Sequence, residues 1–155
     1  MSGIWRDRSE HRPWVERVTG LDTMLRSVSP QRAKAFLAWV LYGASDELIG
    51  EKLGVTPAQA RRLVSLGASS LRHPSHHGDI RDYLDTDGQT LLIDKGLRAL
   101  IREWRLEETF APECRQCGRR YTVERARDPW MNAGGRPRQY CSNACRQKAY
   151  RDRRR

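Results

Sequence analysis

Ser45-Asp46-Glu47-Leu48-Ile49-Gly50-Glu51-Lys52-Leu53-Gly54-Val55-Thr56-Pro57-Ala58-Gln59 is the stretch that decides how the front of this 155-residue chain folds. Ser45 offers a hydroxyl to the free N–H groups of a helix start, and Leu48, Ile49 and Leu53 follow at helical spacing. Gly54-Val55 interrupts, since glycine lets a chain turn sharply at low cost. Thr56-Pro57-Ala58-Gln59 starts a further helix, with a hydroxyl cap, proline at the first helical position and glutamine at the third. That helix runs to about Leu71. A short helix, a Gly-containing turn and a second capped helix make the pattern of a helix-turn-helix. Any three-helix bundle shares these lengths and caps, so the pattern alone leaves both open.

Upstream, Leu21, Met24, Leu25 and Val28 recur at three- and four-residue steps until Pro30. Ala33, Phe36, Leu37, Val40 and Leu41 then form one apolar stripe ending at Gly43, a natural left-handed cap. Residues 1–20 are polar and Arg-rich, with Trp5 and Trp14 but no clear period, and read as a flexible arm. Downstream, His73-Pro74 breaks the helix, 79–85 read as a short turn and 85–89 as a linker. Leu92, Leu97, Leu100, Ile101 and Trp104 predict an amphipathic helix to about Leu106. Gly96 weakens its first turn. Such a helix packs onto the bundle or bridges to the C-terminal segment; a helix that binds a partner is the third reading.

That C-terminal segment holds all four cysteines, as Cys114-x2-Cys117 and Cys141-x3-Cys145. Each pair bites one metal from a single turn, and two pairs complete the tetrahedral shell that zinc prefers. Four thiolates leave no open position for water, so one Zn2+ would be structural. The competing reading is two disulfides in a secreted module. The chain starts with Trp5-Arg6-Asp7-Arg8 rather than an apolar signal core, which favours a cytoplasmic location and the metal. His73, His76 and His77 read as surface or capping residues, with a second metal site as the alternative.

Charge divides the chain the same way. Of a net +10, residues 111–155 carry +9 and residues 1–110 only +1. A basic end of this kind points to phosphates or an acidic protein surface, and otherwise to a solvated tail that aids solubility. No apolar run is long enough to span a membrane. No paired acids with a histidine and no Gly-rich phosphate loop appear, so neither an enzyme nor a small-molecule substrate is expected.

The stretch from Leu21 to Asp85 resembles region four of a primary bacterial sigma factor of the actinobacterial type, the domain that binds the promoter −35 element. The resemblance rests on Leu48-Ile49-Gly50, Gly54-Val55-Thr56, Leu71-Arg72-His73-Pro74-Ser75 and Arg81-Asp82-Tyr83-Leu84-Asp85. It implies a helix-turn-helix that reads promoter DNA and a second face that holds the β flap of bacterial RNA polymerase. The family opens its recognition helix with Arg-Glu-Arg, where this chain has Pro57-Ala58-Gln59. Arg61 matches the family, and Arg62 stands where it has glutamine. Pro and Ala offer no donors to base edges, leaving Gln59, Arg61 and Arg62 as the DNA-contact candidates of this helix. Val64 and Leu66 replace charged positions, and the substitution points to a helix packed against protein.

Tyr140-Cys141-Ser142-Asn143-Ala144-Cys145 resembles the Phe/Tyr-Cys-Ser type of treble-clef zinc finger, over about residues 112–150. Cys117-Gly118 supplies a knuckle, Tyr121-Thr122-Val123 has strand character, and Ser142 caps a helix that carries Cys145. The interval between the pairs implies an extended hairpin or loop through Asp128-Pro129-Trp130 and Asn132-Ala133-Gly134-Gly135. Gly134-Gly135-Arg136-Pro137-Arg138 also resembles the core of AT-hook peptides without its first arginine; a rigid loop entering the finger is the other reading. The final helix adds Arg146, Lys148, Arg151, Arg153 and Arg154, and Arg146, Tyr150 and Arg153 share one face. With Arg136 and Arg138 these are the nucleic-acid candidates of the tail.

The expectation is a mainly α protein: a flexible arm (1–20), a sigma-region-four-like helix-turn-helix domain (21–85), a linker and connecting amphipathic helix (86–110), and a treble-clef-like zinc module with a basic C-terminal helix (111–155). Its expected partners are promoter DNA and RNA polymerase. The competing class is a protein–protein module that occupies the flap, or a sigma partner, without reading DNA.

Overall fold

The computed structural model describes residues 21–71, 94–123 and 137–155. Among them are seven helices and no strand: α1 Leu21–Ser27, α2 Pro30–Tyr42, α3 Asp46–Leu53, α4 Pro57–Leu71, α5 Lys95–Glu103, α6 Leu106–Phe110 and α7 Asn143–Asp152. None of these helices is long and apolar enough to cross a membrane.

Local chemistry sets the boundaries of α2, α3 and α4. The left-handed Gly43, at φ 62°, ends α2 and turns the Ala44 N–H back onto the Ala38 carbonyl at 3.2 Å. Ser45 caps α3 by accepting from the Leu48 N–H at 3.2 Å. Gly54, at φ 70°, closes α3, and its small turn delivers Thr56 to the start of α4. There the Thr56 hydroxyl accepts from the Gln59 N–H at 3.2 Å, while the Gln59 side chain accepts from the Thr56 N–H at 2.9 Å. The capping box expected from the sequence is therefore closed in both directions, satisfying two backbone donors that a helix start leaves free.

Packing explains the apolar residues. Phe36, Leu37, Val40 and Leu41 of α2 meet Ile49 of α3 and Ala60, Val64, Ala68 and Leu71 of α4 in one cluster. Val64, which the sequence placed on a helix packed against protein, is a core residue of its own domain at 3% exposure. Gly67 lets α2 and α4 come close: a β-carbon there would lie 2.6 Å from the Arg32 carbonyl oxygen and 2.9 Å from Phe36 Cβ.

The expected helix ending near Leu106 is two helices, and the second reaches Phe110. Asp94 caps α5, accepting from the Gly96 and Leu97 N–H groups at 2.7 and 3.2 Å. The chain bends at Trp104-Arg105, where Arg105 takes a left-handed conformation with φ 53°. The bend swings Leu106 and Phe110 into the cluster that already holds Leu97, Leu100 and Ile101. Lys34 of α2 lies over the Trp104 ring at 5.5 Å, and Arg26 of α1 forms a forked ion pair with Glu103, one arm at 3.0 Å. The segment packs onto the bundle, as one of the readings expected, and α6 leads on toward the cysteine pairs. Leu92, the 85–89 linker, the 79–85 turn, the residues 1–20 and the three histidines lie outside the described residues, as do Arg72 to Ser75 and Arg81 to Asp85.

The α1–α5 contact holds an unusual pair. Asp94 is 1% exposed, and one of its carboxylate oxygens and one of Asp22's are buried without a hydrogen-bond partner among the described residues. Both flank Gly96, whose missing side chain leaves room for them: a β-carbon would meet Asp22 Oδ1 at 2.7 Å and Asp94 Oδ1 at 3.2 Å. Burial pushes the Asp94 carboxyl above its ordinary range, and the nearby Asp22 charge adds to the rise. The two cap N–H bonds and Arg98 pull the other way without cancelling it.

Candidate metal centre and basic helix

The chain enters the cysteine module straight from α6. Glu113 and Arg120 pair across a single antiparallel bridge, and the Cys114 N–H donates to the Arg119 carbonyl at 2.9 Å. Between them Gly118, at φ 71°, closes a knuckle by donating to the Cys114 carbonyl at 2.8 Å. This is the positive-φ turn for which glycine is suited. The second pair approaches through Gln139, whose carbonyl accepts from the Arg115 N–H at 3.1 Å. Ser142 then caps α7 by accepting from the Cys145 N–H at 3.2 Å, so Cys145 sits in the opening turn. Tyr121-Thr122-Val123, read as strand-like, forms no strand; its backbone bonds tie the module to its surroundings instead.

These turns gather all four sulfurs within 4.8 Å of one another. Cys117 and Cys141 Sγ are 3.6 Å apart, and Cys141 and Cys145 Sγ 3.5 Å. A disulfide needs about 2.05 Å, and all four cysteines are free thiols. Four sulfurs about 2.3 Å from one tetrahedral ion lie about 3.8 Å apart, close to the spacing here. The donor set and its geometry therefore fit one structural metal ion with no open coordination position. Cys114 is buried at 2% exposure and Cys117 faces solvent. Burial alone would raise the Cys114 thiol, but backbone N–H groups of Cys141, Cys117 and Gln116 turned toward it bring it down to about 6. Such donors favour the thiolate that a metal requires. Cys141 is pushed up to about 12, first by its contacts with the Cys145 and Cys117 sulfurs.

The module is bonded to the helical body. The Val123 N–H donates to the Leu41 carbonyl at 2.7 Å and an Arg120 guanidinium N–H to the Glu107 carbonyl at 3.2 Å; within the module the Tyr121 N–H donates to the Pro112 carbonyl at 3.1 Å. The Tyr121 hydroxyl donates to the Arg138 carbonyl at 2.6 Å. Backbone anchors of this kind leave no side-chain pattern, so sequence reasoning had no signal for Val123. Gln116, which donates to Asp152 of α7 at 3.1 Å, was missed for the same reason: an isolated polar residue in a turn carries no period.

The basic candidates divide by location. In α4, Gln59 is engaged in the capping box, Arg61 donates to Asp46 of α3 at 2.8 Å, and Arg62 is exposed. Arg138 lies over the Tyr121 ring at 5.4 Å and donates to the carbonyls of Tyr140, at 2.8 Å, and Cys141, so its guanidinium braces the second cysteine pair. In α7, Arg146, Lys148 and Arg151 are exposed, as are Arg153 and Arg154 just past its end, while Ala149 turns inward. The one acid of α7, Asp152, is the residue held by Gln116. Arg136 lies outside the described residues. No protein-family model, no curated protein and no solved structure matches the chain.

Proposed function

We propose that the chain is a small, non-enzymatic transcription regulator. A helix-turn-helix built from α3 and α4 and a basic zinc finger ending in α7 bind promoter DNA, RNA polymerase, or both. The observation that carries the reading is α7 and the residues just after it, where Arg146, Lys148, Arg151, Arg153 and Arg154 stand exposed beside a single acid that is engaged elsewhere. A helix of this kind lays positive charge along a phosphate backbone. The cysteine cluster supports it as a rigid base, a role for one structural Zn2+ in a treble-clef-like module. Motifs in residues 21–85 that resemble sigma region four supply the link to promoters and to the polymerase flap.

Salt-titrated binding of the zinc-loaded chain to promoter and scrambled duplexes tests this, with and without core RNA polymerase. Charge reversal at Arg146 and Arg153 should lower affinity on every duplex and flatten the salt slope by about two, since each phosphate contact contributes about 0.9 to it. Unchanged slope and affinity would remove α7 from the interface.

One observation favours the second reading, a protein module that occupies the polymerase flap without reading DNA. At the start of α4 the Gln59 side-chain oxygen accepts in the cap, and the Arg61 Nε–H donates to Asp46 within the fold. Arg62 alone of the three has neither role, which is thin equipment for base discrimination. Binding that appears only with polymerase and survives nuclease treatment would establish this second reading.

A further inference from the structure

We propose that α7 is a platform for unpaired DNA, with Tyr150 stacking on a base while Arg146 and Arg153 hold the flanking phosphates. The proposal rests on the reading of α7 as a nucleic-acid contact and specifies which form of DNA it takes. Tyr150 is 50% exposed, the one large hydrophobic side chain in that condition among the described residues. A half-exposed ring beside the exposed Arg146, Lys148 and Arg151 has no role in packing α7, whose one buried residue is Ala149. On a helical wheel Arg146, Arg153 and Arg154 flank Tyr150, while Lys148 points to the other side. Arg154 lies over the ring at 4.7 Å, so a planar cation already occupies a position that a base can take or share.

The surface around the ring has the shape for an extended strand. A shallow concavity of about 490 Å³ lies between Arg146, Tyr150 and Arg153. A second, of about 740 Å³, continues past the same two arginines toward Tyr140 and Asn143 at the start of α7. Arg146 and Arg153 thus stand where the two depressions meet. A ring that accepts a base face and cations that track a backbone are the two parts of a single-strand site. A duplex offers only its phosphates to such a face, because its bases are stacked on each other. Single-stranded DNA is the occupant that uses both, and an opened promoter supplies it.

The test uses the full-length, zinc-loaded chain and fluorescence anisotropy at one fixed salt concentration. The probes are an unstructured 20-nucleotide single strand, the same strand with abasic sites, and its duplex. Wild type should prefer the intact single strand. Tyr150→Ala should weaken that complex about tenfold, within the range for loss of one stacked base, and leave the duplex complex unchanged. Wild type on the abasic strand should bind as weakly as Tyr150→Ala on the intact one, and Tyr150→Phe should keep the wild-type affinity. Because Tyr150 lies outside the core, ellipticity and zinc content should match wild type in both variants. Equal binding of duplex and single strand, unaffected by Tyr150→Ala, would overturn the proposal and leave α7 as a phosphate contact. Binding to none of the three probes would overturn both readings.

Discussion

Replacing Gly67 by alanine tests how closely α2 and α4 approach. Two effects oppose each other. Alanine is the better helix former, and on propensity alone the change should stabilise α4 by about 1 kcal/mol. The new methyl, however, would sit 2.6 Å from the Arg32 carbonyl oxygen and 2.9 Å from Phe36 Cβ. Restoring an ordinary contact of about 3.5 Å requires the helices to separate by nearly 1 Å. Neither neighbour can rotate away, since one is backbone and the other is the root of a buried side chain. Overpacking of this sort costs about 1–3 kcal/mol, and a clash with backbone belongs at the upper end. The net expectation is a loss of about 1–2 kcal/mol, or roughly 5–15 °C in midpoint for a helical body of this size. Ellipticity at 222 nm followed against temperature and urea reads it directly. Gly96→Ala is the control: its nearest atom is the end of the Asp22 side chain, which can swing aside, so its loss should be smaller. A Gly67→Ala protein that melts at or above the wild-type temperature would mean that α2 and α4 do not meet backbone to backbone at this point.

Other contacts predict further outcomes. Cys117→Ser should abolish stoichiometric zinc retention through gel filtration and weaken the sulfur-to-metal absorption bands of the cobalt-substituted protein; unchanged spectra would remove Cys117 from the ligand set. The raised Asp94 carboxyl implies that its ionised form destabilises the fold, so this group's contribution to stability falls as pH rises from the ordinary carboxylate range through its higher folded value. Asp94→Asn keeps an oxygen for the cap and removes the charge; its stability relative to wild type in urea titrations should grow as pH is raised over that window. Thr56→Val removes the hydroxyl half of the capping box and should cost about 1 kcal/mol in the same titrations.

Where the sequence was legible, a side chain or a backbone requirement repeated itself in residue type. Ser45, Thr56 and Gln59 are caps in residue choice and caps in geometry. The cysteines were legible because ligand spacing is itself chemistry. The bend at Trp104-Arg105 was not, since Leu97, Leu100, Ile101, Trp104 and Leu106 keep an apolar rhythm through it. Arginine, moreover, is not a residue that announces positive φ. Charge alone gave no sign of the local role of Arg138, whose guanidinium donates to two carbonyls of its own module. At Val64 and Gly67, composition marked an apolar helix, but only packing showed which surface it meets.

The bond from the Val123 N–H to the Leu41 carbonyl joins residues far apart in the chain. During synthesis α2 leaves the ribosome well before the knuckle, and chains generally fold from the N-terminus as units. The order of emergence implies a schedule for metallation. The helical body forms first, and Cys114 and Cys117 dock against it as a prepared half-site. Cys141 and Cys145 arrive later, carried by α7, and would close over an ion already held from one side. A chain stalled before residue 141 would then be a folded body with an open two-thiolate claw, able to exchange a metal ion with other ligands until the second pair arrives.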